Sequence, residues 1–357
     1  MPRWSGKFII GLTGNIATGK SVVRRMLEHL GAYGIDADAL AHRAITRGAP
    51  GYKPVLEMFG RWLLNPDGEI NRSRLAEVVF KDKEALAALE GIIHPLVIQA
   101  VDLFVQRASQ QIVVIEAIKL LESDLRPACN SIWVTYAPSD VQLERLIRLR
   151  GMSLTEARQR IESQPPQEEK AARADVVIKN ISSFTETWRQ VAENWKKTIP
   201  AEYLIKDHSQ PGSVKRSVGE YSVVRAKPHH AAELASLVNR INRPPLPVSE
   251  TDLMAEFGEK AFLMLRASDQ IVGVMGWQVE NLVSRVSDIA IEPSIPLVDA
   301  LIALITEMEK ASKDLQCEAA LVFLQSASME MNSWWQKMGY TQRSPKELGS
   351  PAWEEAA

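Results

Sequence analysis

The stretch GLTGNIATGKSVV, residues 11–23, places two glycines, a lysine and a serine between an apolar run and a helical pattern. Within it, Gly14-Asn15-Ile16-Ala17-Thr18-Gly19-Lys20-Ser21 satisfies G-x-x-x-x-G-K-[ST] in full. Gly14 and Gly19 allow backbone geometry that a side chain would obstruct, so successive N–H groups, including that of Val22 beyond the motif, can converge on phosphate oxygens. The helix that follows adds its positive N-terminal end. Lys20 can reach the β- and γ-phosphates, and Ser21 can ligate Mg²⁺. Glycine-rich turns also occur without a ligand, but a full motif in a strand–loop–helix context points to a nucleoside triphosphate.

A phosphoryl donor needs an acceptor, and GIDADALAHR, just after the first helical pattern, supplies acids. Asp36 and Asp38 alternate in what reads as an extended stretch, which would point both to one side near the edge where the phosphate loop lies. A carboxylate there can accept a hydroxyl proton during transfer or help hold Mg²⁺. A solvated turn is the competing reading.

The elements that must position these residues follow from periodicity. Phe8-Ile9-Ile10-Gly11-Leu12 is a short apolar run, as a strand covered on both faces should be. Val23, Met26, Leu27 and Leu30 fall at helical spacing, with Gly31 as a stop. QIVVIEA (111–117), SIWVTYA (131–137) and VVI (176–178) read as further buried strands, and SDVQLERLIRLRG as a helix. Strands alternating with helices imply an α/β domain with a parallel sheet. KDHSQPGSVKRSVGE (206–220) has no apolar pattern and reads as a linker. Beyond it, from Tyr221 to about Gln342, the pattern reads strand, helices, three strands, helix, strand and helix: EYSVVRA begins a β-like run, and residues 261–292 read as the three consecutive strands, with Ser268-Asp269-Gln270 as a hairpin turn between the first two. No internal repeat links the halves.

At 357 residues the chain suggests two domains, and 46% hydrophobic content lets either half bury a core. A formal charge of −2 offers no electrostatic case for nucleic acid or an anionic membrane. Cys129 and Cys317 lie far apart, without metal-ligand spacing, and are expected to be packed thiols in a reducing cytoplasm. The first apolar stretch runs into the phosphate loop, and no other run is expected to be long enough to span a bilayer.

The phosphate loop, DADALAHR, DGEINRSRLAEVVF, IIHPLV, VQLERLIRLRG, RIESQPPQEEK and ADVVIKN occur in the order and spacing of dephospho-CoA kinases, which residues 7–200 resemble. The resemblance implies a phosphate-loop kinase fold with a helical lid. It also implies ATP- and Mg²⁺-dependent phosphorylation of the ribose 3′-hydroxyl of dephospho-CoA, the last step of CoA synthesis. By analogy Asp38 becomes the base on that hydroxyl, with Asp36 close by. His94-Pro95 helps form the substrate wall, with a histidine at a helix boundary in a packed core as the bland alternative. Arg145, Arg148 and Arg150 lie on a basic helical face that belongs to the lid. Arg145 and Arg150 match the pattern best, the first as a catalytic residue and the second on the nucleotide, and Gln164 and Lys170 follow in the lid's second part. The family's second hydroxyl after Lys-Ser is Val22 here, and its Pro-Leu-Leu stretch appears as Lys119-Leu120-Leu121-Glu122. Glu116, ending an apolar strand, is a candidate outer acid for Mg²⁺, and Glu122 falls one residue earlier than the family's acid. A kinase for another small hydroxyl acceptor, or a nucleotide-dependent scaffold, are the alternatives.

The second half resembles GNAT-type acetyltransferases at VSDIAIEP and MNSWWQKMGY, implying an α+β domain. That family holds the CoA pyrophosphate on a glycine-bearing turn at a helix N-terminus. Here EPSIPLVDALIALITEMEK has no glycine, and Trp335 falls where a tyrosine often serves as general acid. The resemblances together imply a kinase domain over 1–205, a linker over 206–219 and a degenerate GNAT-like domain over 220–350. An acetyltransferase with unusual CoA binding, using side chains such as Arg285 for the missing donors, is the competing reading.

Overall fold

The computed structural model describes residues 3–79, 81–204, 221–268, 270–280, 283–315, 317–323, 332–344 and 347–348. The chain divides into two compact units, Met1–Ser182 with Arg189–Tyr203, and Ser183–Trp188 with Leu204–Ala357. The expected linker (206–219), and Asp269 of the expected hairpin turn, lie outside the described residues.

The first unit is built on five parallel strands: β1 (Phe8–Gly14), β2 (Tyr33–Asp36), β3 (Ile112–Glu116), β4 (Ser131–Tyr136) and β5 (Val176–Lys179), in the order β2-β3-β1-β4-β5. All residues of β1 and β3 are buried, as strands covered on both faces require. Four of these strands match the expected runs; β2 is a short addition. The helices are α1 (Lys20–His29), α2 (Ala37–Arg43), α3 (Tyr52–Phe59), α4 (Arg72–Val79), α5 (Lys83–Arg107), α6 (Ser139–Arg150), α7 (Leu154–Glu162), α8 (Gln167–Ala171), α9 (Phe184–Thr198) and α10 (Ala201–Leu204). Register decides what meets at the sheet's carboxyl edge: Glu116 is the Cα partner of both Leu12 and Asp36, and Gly14 pairs with Thr135. The end of β3 therefore lies between the phosphate loop and the acidic segment, at the edge where ligands bind in open parallel sheets.

Three local expectations are corrected. Asp36 and Asp38 do not alternate along a strand, because β2 stops at Asp36, whose side chain accepts from the Ala39 N–H and starts α2. Asp38 thus sits in the first turn of a helix, where a carboxylate is favoured by the helix dipole. His94-Pro95 lies not at a helix boundary but inside α5, which runs through Pro95 for 25 residues. Packing of Leu89, Val97, Val101 and Val105 holds that helix together despite the lost N–H. The same helix is long and apolar enough to cross a membrane by length and composition, with a mean hydropathy of 1.6, against the expectation that no further run would be. Asp102 and the charged residues towards its ends hide that property in a plain reading of the sequence.

The second unit is a mixed sheet of β6 (Tyr221–Arg225), β7 (Ala261–Ala267), β8 (Gln270–Glu280), β9 (Val283–Ile291) and β10 (Ala319–Val322). Its order is β10-β9-β8-β7-β6, antiparallel from β6 to β9 and parallel between β9 and β10. α11 (Ala231–Asn242) and α12 (Glu250–Glu256) join β6 to β7, α13 (Leu297–Asp314) joins β9 to β10, and α14 (Asn332–Lys337) follows. The period of two along β7 divides its apolar residues between two cores. Leu263 and Leu265 join Leu304, Ile305 and Met308 of α13, while Phe262 and Met264 join Leu234, Leu237 and Leu253 of α11 and α12. This is the expected order of strand, helices, three strands, helix, strand and helix.

Leu12 is fully buried at the centre of β1, between β3 and β4. Leu12→Ala is expected to destabilise the first unit by ~2–5 kcal/mol through lost burial and a residual cavity. Urea unfolding followed by circular dichroism reads this as a lower midpoint.

Candidate functional site

The loop between β1 and α1 is a cradle whose shape depends on its two glycines. Gly14 has φ 155° and Gly19 φ 90°. A Cβ on Gly14 would meet Thr135 Oγ1 at 2.3 Å, and one on Gly19 would meet Asn180 Nδ2 at 1.9 Å. Thr18 Oγ1 donates to Asn15 O at 2.8 Å and is hydrogen-bonded to Thr135 Oγ1 at 2.7 Å, which fixes the loop's inner turn. Its outer turn is held by Gln164, whose Oε1 accepts from Ile16 N at 2.8 Å, and by Asn15 Nδ2 donating to Pro165 O at 2.8 Å. Ala17 adopts φ 57° at the bend. No side chain caps the start of α1, so its first N–H groups, at Lys20, Ser21 and Val22, are available to an anion.

Charge converges on this cradle. Lys20 is 8% exposed, and its Nζ donates to Asn15 O at 3.2 Å. Burial pulls the pKa of Lys20 down and Arg150 adds repulsion, while Glu116 and Asp38 oppose both. Ser21 Oγ donates to Glu116 Oε1 at 2.9 Å, and Arg24 Nε donates to Glu116 Oε2 at 2.7 Å. Arg24 also meets Glu28 at 2.7 Å and Asp36 at 3.9 Å. Burial and the Glu116 charge push the Asp36 carboxyl up, against the pull of Arg24. Asp38 accepts from Ile118 N at 3.1 and 3.3 Å through its two oxygens. Its pKa is pushed up to about 6, chiefly by burial and then by the Asp36 charge, with Lys20 and the Ile118 N–H opposing.

Asp38 and His94 line one cavity of about 240 Å³, walled mainly by apolar residues such as Leu89, Ile93 and Val97. The acidic residue and the expected wall histidine therefore share a pocket, although they come from different helices. Asp36, committed to the cap of α2 and to the Arg24 cluster, is absent from its lining. The basic face of α6 splits: Arg145 donates to Ala17 O at 3.1 Å and Asn180 O at 2.9 Å, so it buttresses the loop's backbone, whereas Arg148 and Arg150 are exposed. Glu122 lies away from the cradle and pairs with Arg173 at 3.6 Å.

Three participants escape a sequence reading: Arg24, Thr135 and Asn180. Arg24 carries a faint signal, four residues before Glu28 on α1. Thr135 and Asn180 carry none, because their proximity to the loop arises from β4 and β5 lying beside β1.

A family profile described as dephospho-CoA kinase matches residues 8–186. The chain belongs to the dephospho-CoA kinase family. The dephospho-CoA kinase of Geobacter sulfurreducens is 40% identical over 195 residues, covering 54% of this chain and 99% of that protein. A Thermus thermophilus protein of known crystal structure is 30% identical with a TM-score of 0.50, over 54% of this chain and 98% of that one. The C-terminal part is similar to a ribosomal-protein-alanine N-acetyltransferase from Brucella melitensis, at 11% identity and a TM-score of 0.31, over 35% of this chain and 94% of that one.

The residues of this kinase suit a divalent cation that keeps most of its shell on phosphates and water. The Ser21 hydroxyl and Glu116 carboxylate form a pair of hard oxygen donors beside the cradle. Among the described residues no group of three or more His, Cys, Asp or Glu forms a metal cage, as a site shared with phosphates does not require one.

The raised pKa of Asp38 makes a stability prediction. The folded state favours the protonated carboxyl, so there is no cost below its ordinary value of 3.8, and the cost grows as pH rises through about 6. Above that it reaches on the order of 2–3 kcal/mol, which Asp38→Asn removes while keeping an acceptor for the Ile118 N–H. The variant is expected to melt several degrees higher than the parent at pH 8 and equally at pH 3.5. Thermal unfolding at the two pH values checks this.

Proposed function

We propose that the first unit transfers the γ-phosphoryl group of ATP to the ribose 3′-hydroxyl of dephospho-CoA, with Asp38 as the base. The observation that carries this is the placement of Asp38, in one pocket with His94 and in the electrostatic field of Lys20. The open backbone N–H groups of the loop and the start of α1, those of Lys20, Ser21 and Val22 among them, bind the phosphates, while Ile16 N–H stays on Gln164, and Lys20 neutralises charge on the β- and γ-phosphates. Asp38 takes the proton of the attacking hydroxyl; a pKa near 6 leaves it ionised at neutral pH yet basic enough to accept. Ser21 is the residue to hold Mg²⁺, and Glu116, on the Ser21 hydroxyl, orients it. When bound, the ion neutralises charge on the transferring phosphate. Arg150, within electrostatic reach of Lys20, is the lid residue suited to the nucleotide, and Arg145 acts by holding the loop's carbonyl at Ala17. His94 forms the substrate wall, and Asp36 orients the acidic segment.

The domain limits proposed are 1–205, with a linker at 206–219, and 220–350, in a cytoplasmic protein. The C-terminal domain is proposed to be GNAT-like with little or no acetyl transfer. Between β9 and α13, Pro293 and Pro296 lack N–H groups, Glu292 N is spent on Val272 O at 2.9 Å, and Ile295 N on Glu292 O at 3.0 Å. Asp299 then sets a carboxylate in the first turn of α13. A pyrophosphate would meet few donors and an anion there. Arg285 stacks on Phe323 at 4.6 Å. Trp335 is 5% exposed, and the neighbouring Tyr340 hydroxyl donates to Glu309 at 2.9 Å, which with burial raises its pKa. Neither residue offers a ready proton to a thiolate.

Lys20→Ala is expected to cripple turnover and weaken ATP binding together. Asp38→Asn should lower kcat by roughly 10²–10⁴-fold with ATP affinity nearly unchanged. ATP-dependent formation of CoA from dephospho-CoA measures both, and near-normal turnover in Asp38→Asn would remove the base from this scheme. The full chain carrying Asp38→Asn should release no thiol from acetyl-CoA over a panel of amines. Sustained release would make the second unit a working acetyltransferase.

A further inference from the structure

The backbone of Ile118, just past the end of β3, is held through two successive peptide groups. Its N–H donates to the Asp38 carboxylate at 3.1 Å. Its carbonyl accepts from Thr13 Oγ1 at 3.0 Å and from Lys170 Nζ at 2.9 Å. Lys170 belongs to α8 and is 7% exposed. We infer that Lys170 is a positioning residue for phosphoryl transfer, acting on Asp38 through the backbone of Ile118.

An ammonium is costly to bury, and its methylene stem could fill the same space without the charge. Here the charge faces one carbonyl, that of the peptide between Ile118 and Lys119, in a charge-assisted bond that pins that peptide in place. The preceding peptide, whose N–H meets Asp38, shares the Ile118 Cα with it, so the bonds at Ile118 hold the Asp38 oxygens at a fixed place. Burial and Lys20 lower the pKa of Lys170, while Glu122 and Asp38 support its charge, which places the ammonium in the field of both reacting partners. The same segment reaches the nucleotide loop through Gln164 and Pro165. It also reaches the turn after β3 through Arg173, whose NH2 donates to Leu121 O at 2.9 Å. One short stretch of chain therefore braces both the donor loop and the peptide behind Asp38.

The inference rests on Asp38 being the base, and a double-mutant cycle separates the two ideas. Lys170→Met, Asp38→Asn and the double variant are compared in the full chain by steady-state formation of CoA from ATP and dephospho-CoA. Lys170→Met should lower kcat roughly 10- to 100-fold, the range of one charge-assisted hydrogen bond, with both KM values within about threefold. On the Asp38→Asn background the same change should cost no more than about twofold. An equal loss on both backgrounds, or a rise in the KM for ATP with kcat unchanged, would overturn the inference. Full activity in Asp38→Asn alone would instead overturn the base assignment. Should Lys170→Met not fold, Thr13→Val removes the other donor to the same carbonyl with little change of shape. A lower kcat that disappears on the Asp38→Asn background supports the positioning of Asp38 through Ile118, and an unchanged kcat sinks it.

Discussion

Three carboxylates, Asp36, Asp38 and Glu116, crowd the carboxyl edge of one parallel sheet, and holding them there against mutual repulsion is the constraint that organises this unit. Glu116 is 3% exposed and is met by both Ser21 and Arg24. Burial opposes the charge on Arg24, but Glu28, Glu116 and Asp36 hold its pKa above the ordinary value. The surplus negative charge then falls on Asp38, whose carboxyl is left with Lys20 and a single peptide N–H in opposition. A carboxyl whose pKa is raised towards neutral pH is thus a by-product of pairing the other two acids more completely.

The phosphate loop answers the opposite demand. It must gather donors without side chains, and it does so by threading between Thr135 on β4 and Asn180 just past β5, at distances that admit no Cβ at Gly14 or Gly19. Arg145, Gln164 and Asn180 then hold the loop's peptides from outside. The cradle is rigid because it is bonded on its convex side, which leaves its concave side for an anion.

The second unit builds two apolar cores on one sheet. They follow from alternation along β7 and β8, and Ile295 of the turn before α13 packs on one of them. A cavity of about 450 Å³ remains, lined by residues including Leu253, Phe262, Asp288, Leu301 and Trp335.

The sequence by itself determined the phosphate loop, four strands of the first sheet and the order of elements in the second unit. Each rests on local spacing, where backbone geometry and side-chain periodicity leave few choices. Only the tertiary structure decided how the acids are used. Asp36 and Asp38 looked equivalent in DADAL, but capping of α2 by Asp36 turned one into a structural acid and left the other facing the pocket with His94. Nor could spacing reveal that Glu116 shares a register with both Leu12 and Asp36, or that Lys170 lies on the carbonyl of Ile118. Those contacts join residues 52 to 104 positions apart, and parallel pairing between distant strands, not any local preference, sets them.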